Sequence, residues 1–267
     1  MNKIKVALAQ MNIVWEDFQA NYEKIEKFTL EASNKNCDIV LFPEMSFSGF
    51  TMNIDSLPID EENVLNCIKK IAIRYKINVA IGYAINNKGA SNKYVVVDYK
   101  GNVLINYTKI HPFTYGEETK YYKSGEQICY CNIKEFVLST FICYDLRFPE
   151  IFQIASLKAN IIIVAANWPE ERSNHWLSLL KARAIENQCY IIGVNRVGND
   201  KTLNYIGQSI VINPNGEIIS SIEKDEKLIT ASLDIAEIKN VKSKFDIKRD
   251  RREKLYRRMK CYEDNNI

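Results

Sequence analysis

The spacing of short apolar stretches constrains the fold of this chain more than any other feature. Eleven stretches, at 4–10, 38–42, 78–85, 94–99, 103–108, 136–142, 160–166, 190–197, 205–212, 218–222 and 228–233, alternate with period two or are almost wholly apolar, and read as strands. Four longer segments, 21–34, 61–75, 149–157 and 173–188, carry helical periodicity, and in the last Trp176, Leu180 and Ala184 recur at fourfold spacing. Turn residues at Lys100-Gly101-Asn102 and Asn213-Pro214-Asn215-Gly216 join strands directly, so hairpins are mixed with βα units. Strand, helix, strand, helix and several strands describe residues 1–110 and again 136–233, with no residue-level repeat. Strands as apolar as 161–166 need cover on both faces. The pattern therefore predicts one α/β domain in which two sheets face each other and helices cover the outer sides.

Composition narrows the class further. The longest apolar run is six residues, 161–166, far short of the roughly 20 that cross a bilayer. With 46% apolar residues and a net charge of +3 over 267 residues, disorder and coiled coil are excluded. Met1-Asn2-Lys3 turns at once into a strand-like stretch, with neither an apolar signal core nor a small-residue cleavage site, so the cytosol is the expected compartment. Seven scattered cysteines and two histidines suit neither a disulfide scaffold nor a structural zinc site. No metal or other cofactor is expected.

The small net charge hides a split. Lys242 to Lys260 holds ten basic and three acidic residues, a local +7, against 26 basic and 30 acidic residues elsewhere. Residues 1–240 then form a mildly acidic body, and 241–267 a basic C-terminal arm. Interleaved Asp246, Asp250 and Glu253 and the scarcity of aromatics favour an arm packed on the body or on a second subunit over one that binds nucleic acid.

Three strands run straight into a reactive side chain: 38–42 into Pro43-Glu44, 103–108 into Lys109, and 136–142 into Cys143. In α/β sheets, ligands gather beyond the carboxyl ends of strands, where a carboxylate, an ammonium and a thiol can meet. Cys143-Tyr-Asp-Leu-Arg-Phe-Pro149 reads as a tight strand-to-helix turn with Pro149 in the first helical turn. Orphan N–H groups at such a turn favour a thiolate and bind an oxyanion.

Leu-Phe-Pro-Glu44, Tyr-Thr-Lys109-Ile-His-Pro-Phe and Ile-Cys143-Tyr-Asp-Leu-Arg-Phe-Pro-Glu together resemble the three signatures of the nitrilase superfamily of carbon–nitrogen hydrolases. Ala166-Asn-Trp-Pro, Arg172-Ser-Asn-His-Trp, Asn195-Arg-Val-Gly and Tyr205-x-Gly-x-Ser209 extend the likeness to about residue 235. The resemblance implies a four-layer αββα sandwich, commonly paired into dimers or higher homo-oligomers. The stretch from Glu44 through Asn53, with Asn167-Trp-Pro, is most similar to the omega-amidases, which act on 2-oxoglutaramate or 2-oxosuccinamate. N-carbamoyl or simple aliphatic amide hydrolysis and soluble acyl transfer share the same triad and remain alternatives.

By the same resemblance Glu118, ahead of Gly125, is a supporting glutamate that orients Lys109 or the substrate, and fits that position better than Glu117. Ser124 stands where the family usually has Pro. Glu44 is then the base, Cys143 the nucleophile, and Lys109 with the N–H of Tyr144 the oxyanion donors. Trp168 is expected as a pocket wall, Arg172 as the cation for a substrate carboxylate, and Arg147 as an ion-pair residue at the turn. His111 is read first as a loop histidine bonded to backbone, with a pocket-lining role left open, and His175 as structural.

Overall fold

The computed structural model describes residues 2–263. In chain order the elements are β1 (Lys3–Gln10), α1 (Phe18–Asn34), β2 (Ile39–Leu41), α2 (Glu61–Tyr75), β3 (Asn78–Asn86), β4 (Ala90–Val97), β5 (Val103–Thr108), α3 (Glu118–Tyr121), β6 (Tyr130–Ile133), β7 (Phe136–Ile142), α4 (Pro149–Ala155), β8 (Ile161–Ala166), α5 (Ser173–Asn187), β9 (Tyr190–Asn195), β10 (Val197–Asn199), β11 (Asn204–Ile212), β12 (Ile218–Glu223), β13 (Lys227–Asp234), α6 (Ile235–Lys244) and α7 (Glu253–Glu263). One sheet has the order β13-β1-β2-β3-β4-β5; the other is β10-β11-β9-β8-β7-β6, with β12 on β11. Each has a parallel centre, β1-β2-β3 and β7-β8-β9, flanked by antiparallel strands.

Alternation along β1 shows how four layers arise. Ile4, Val6 and Leu8 belong to the core between the sheets, while Ala7 and Ala9 pack with Ile25 and Phe28 of α1 and Ile68 of α2 on the outer side. On the far sheet all six residues of β8 are buried, and Phe152 of α4 with Trp176, Leu180 and Ala184 of α5 covers its outer face. Local signals set the helix limits. The side chains of Asp17 and Asp60 accept N–H groups at the starts of α1 and α2, and Pro149 opens α4. The αββα sandwich expected from the resemblance is the fold observed.

The chain departs from the expected pattern at its ends. β13 leaves the second half and pairs with β1 along its length, Lys3 opposite Asp234 through Gln10 opposite Lys227, so the halves are not closed repeats. β6 and β10 are too short to announce themselves by alternation. In the basic arm, Lys248 Nζ donates to the Ser156 carbonyl at 2.6 Å and Arg251 to Gln153 Oε1 at 3.0 Å, against the end of α4. Residues 264–267 of the expected arm lie outside the described residues. Among the described residues no helix is long and apolar enough to cross a membrane.

Glycines allow two close backbone crossings at the carboxyl end of the first sheet. A Cβ on Gly82 of β3 would lie 2.6 Å from Pro43 O, Glu44 Cα and Met45 N, and one on Gly125 would lie 2.2 Å from Thr108 O. Hydrogen bonds stitch the same crossings, Gly82 N–H to Pro43 O at 3.2 Å and Gly125 N–H to Lys109 O at 2.7 Å. Because Gly82 meets backbone, the Gly82→Ala protein is expected to lose about 3 kcal/mol of stability. Urea denaturation followed by circular dichroism checks this, and an unchanged midpoint would show that the crossing is not tight.

Candidate active site

Glu44 follows β2, Lys109 follows β5, and Glu118 opens the single turn of α3. All three are buried, at 0%, 1% and 0% exposure, which bare charges do not tolerate without partners. Each has them. Lys109 Nζ donates to Glu44 Oε1 at 2.9 Å and to Glu118 Oε2 at 2.8 Å. Asn92 Nδ2 donates to Glu44 Oε1 at 2.7 Å and Glu118 Oε1 at 2.9 Å. The second oxygen of Glu44 accepts the Asn167 N–H at 2.8 Å, and Glu118 Oε2 also accepts the Phe113 N–H at 2.6 Å. Burial acts to lower the pKa of Lys109, but the carboxylates of Glu118 and Glu44 override it and hold the pKa above its ordinary value. Lys109 is therefore an ammonium with one N–H left for a further acceptor. Glu117, by contrast, is exposed and pairs with Lys120, so Glu118 is the inward glutamate.

Cys143 sits where β7 turns into a short 3-10 turn, at φ +44°, a left-handed conformation that a non-glycine residue holds only under constraint. Asp145, fully buried two residues on, supplies that constraint. Its Oδ2 accepts the Ile142 N–H at 3.0 Å and the Tyr107 hydroxyl at 2.7 Å, and its Oδ1 accepts the His111 N–H at 2.9 Å and faces His111 Nδ1 at 2.8 Å. Burial first, then the nearby Glu44 carboxylate, pushes the Cys143 thiol well above its ordinary pKa, with Lys109 opposing. The resting group is thus a protonated thiol, a weak nucleophile unless a base removes its proton.

A pocket opens at Cys143, walled by Phe50, Phe113, Tyr144 and Trp168 and carrying two guanidinium groups, Arg147 and Arg172. Arg147 lies 4.8 Å from the Trp168 ring and 5.9 Å from that of Tyr144, with His175 Nδ1 at 3.4 Å. Among the described residues it pairs with no carboxylate, which corrects the expectation of an ion pair at the turn: Asp145, the near carboxylate, points inward to Ile142 and His111. Arg172 lies 5.7 Å from the Phe113 ring and 3.5 Å from Glu171 Oε2. Asn195 fixes Trp168 by its backbone, accepting its N–H at 2.8 Å and donating to its carbonyl at 3.0 Å, while the indole donates to Arg172 O at 2.7 Å.

The structure thus gathers Glu44, Lys109 and Glu118 into one buried cluster and sets Cys143, Tyr144, Trp168 and Arg172 on one pocket. His111 departs from its first reading: its ring faces the Asp145 carboxylate rather than backbone, and stacks on Phe148 at 3.8 Å between centroids. His175 is exposed at the start of α5. Sequence reasoning missed Asn92, Asp145, Asn167 and Asn195. For Asn92 a signal existed, since a buried asparagine in phase with the inward Tyr94 and Val96 of β4 breaks an apolar face. Among the described residues no group of three or more His, Cys, Asp or Glu is arranged to hold a metal ion.

Known proteins share this arrangement of elements. Residues 5–243 match the family model described as carbon-nitrogen hydrolase. The chain is 30% identical over 260 residues to 2-oxoglutaramate amidase of Bacillus subtilis, covering 95% of this chain and 100% of that one. It is 34% identical over 248 residues to omega-amidase YafV of Escherichia coli, covering 92% and 95%. A crystal structure of XC1258 from Xanthomonas campestris, a CN-hydrolase superfamily protein with an arsenic adduct in its active site, superposes with a TM-score of 0.88 at 28% identity over 94% of this chain and 98% of that chain. With the family match spanning nearly the whole chain and the fold agreeing, the chain belongs to the carbon–nitrogen hydrolases, enzymes that act on carbon–nitrogen bonds other than peptide bonds.

Proposed function

We propose that the chain is an amidase that removes the terminal amide of a small 2-oxo dicarboxylic acid monoamide, 2-oxoglutaramate or 2-oxosuccinamate, through a thioester on Cys143. The observation that carries the substrate class is the pocket itself. Arg147, a guanidinium without a carboxylate partner among the described residues, stands with Arg172 among aromatic walls beside the thiol. Arg172 shares its charge with the exposed Glu171, whereas Arg147 keeps its forked donors for a small substrate that carries a carboxylate at the end remote from its amide. The names of the relatives at 30% and 34% identity support the same class.

The chemistry follows from the cluster. Glu44 takes the Cys143 proton as sulfur attacks the amide carbonyl, and the negative charge that develops on oxygen is met by the free N–H of Lys109 and the backbone N–H of Tyr144. The tetrahedral intermediate collapses by breaking the carbon–nitrogen bond. Glu44 returns its proton to nitrogen, and ammonia leaves an acyl thioester. Glu44 then deprotonates a water that attacks the thioester, and the thiol reforms as the acid departs.

A screen of ammonia release over 2-oxoglutaramate, 2-oxosuccinamate, simple amides, N-carbamoyl compounds and nitriles tests the substrate class; the 2-oxo acid amides are expected to lead, and a flat profile would overturn it. Arg147→Met is expected to raise KM for 2-oxoglutaramate at least about tenfold, the loss of one charge-assisted contact, while leaving turnover of an uncharged amide unchanged. An equal effect on both would remove Arg147 from carboxylate recognition. Glu44→Gln is expected to cut kcat about a hundredfold or more, read by ammonia release from protein that circular dichroism shows to be folded.

A further inference from the structure

Asn92 has no role in the chemistry above, yet it touches all of the cluster except the thiol. Its side-chain nitrogen donates to Glu44 Oε1 at 2.7 Å and Glu118 Oε1 at 2.9 Å, and its main-chain carbonyl accepts the main-chain N–H of Lys109 at 2.9 Å. The amide orientation is forced, because turning it over would set Oδ1 against two carboxylate oxygens. The forced orientation leaves Asn92 Oδ1 buried with no hydrogen-bond partner among the described residues, a loss of free energy that a residue kept only for stability would avoid. The cluster holds two carboxylates against one ammonium, and each donor aimed at a carboxylate favours its charged form.

We infer that Asn92 is a positioning residue whose side-chain amide clamps Glu44 and Glu118 together as carboxylates around Lys109, keeping Glu44 available as the base at neutral pH. The inference rests on the reading of Glu44 as the base for Cys143. It goes beyond that reading by assigning the state of the base to a neutral side chain on the neighbouring strand. Since Lys109 binds the Asn92 carbonyl of the main chain, side-chain replacement leaves that bond in place and isolates the amide.

The experiment compares kcat against pH for wild-type protein, Asn92→Asp and Asn92→Ala, using the amide that wild-type protein turns over best. Asn92→Ala removes two hydrogen bonds that favour the charged carboxylates, and Asn92→Asp sets a third carboxylate against them. The acid limb of kcat is therefore expected to move to higher pH in the order wild type, Ala, Asp, with kcat of Asn92→Asp at neutral pH down about a hundredfold and KM within about threefold, since Asn92 does not line the substrate pocket. A merely structural residue would lower kcat, if at all, without moving the limb, so folded variants with the wild-type limb overturn the inference. If Glu44→Gln proves fully active, the base reading falls instead. Should neither Asn92 variant fold, asparagine-labelled enzyme decides by NMR: one side-chain amide must respond to both Glu44→Gln and Glu118→Gln, because Asn167 touches only Glu44. No such doubly responsive amide would overturn the inference.

Discussion

The buried ion triple of Lys109 between Glu44 and Glu118 is the interaction on which the rest of this structure depends. Taking three charges out of water is costly, and one missing partner leaves a charge unpaired in the interior. The fold meets that demand from several directions: Asn92 from β4, Asn167 from the end of β8, and the Phe113 N–H from the loop before α3. Such a cluster is a poor source of stability compared with apolar packing. It holds two carboxylates and an ammonium at fixed positions near a thiol, which is an arrangement suited to reaction.

The sandwich makes this convergence geometrically simple. β2, β5, β7 and β8 all finish at one end, so Glu44, Lys109, Cys143 and Asn167 emerge there without long loops. Tight crossings at Gly82 and Gly125 bring the main chain close enough for side chains to meet. Asp145 then holds the left-handed Cys143 by binding the main chain on one side and His111 on the other. Alignment of the donors is paid for during folding, so little reorganisation is left for the reaction.

Much of this was legible in the sequence, and for physical reasons. Two sheets with outer helices follow from strands too apolar for one covered face, and Glu44, Lys109 and Cys143 stand out because each ends such a strand. Long-range choices were not legible. Pairing of β13 with β1 joins opposite ends of the chain, and β6 and β10 are too short to show a period. Asparagine is the blind spot of the site: Asn167 and Asn195 belong to a residue type common in turns, so only burial reveals their donors, and Asn92 shows itself only by its phase with Tyr94 and Val96 on β4. Arg147 misled because its near carboxylate, Asp145, faces inward, leaving the guanidinium to the pocket.

The central claim is that this cluster makes Cys143 the nucleophile of a thioester pathway. Acid quenching during turnover, followed by intact-mass spectrometry and peptide mapping, tests it most directly. The account requires one adduct on Cys143, equal in mass to the substrate less ammonia, and no adduct or ammonia release from Cys143→Ala. Steady ammonia release without any adduct, undiminished in Cys143→Ala, would contradict it.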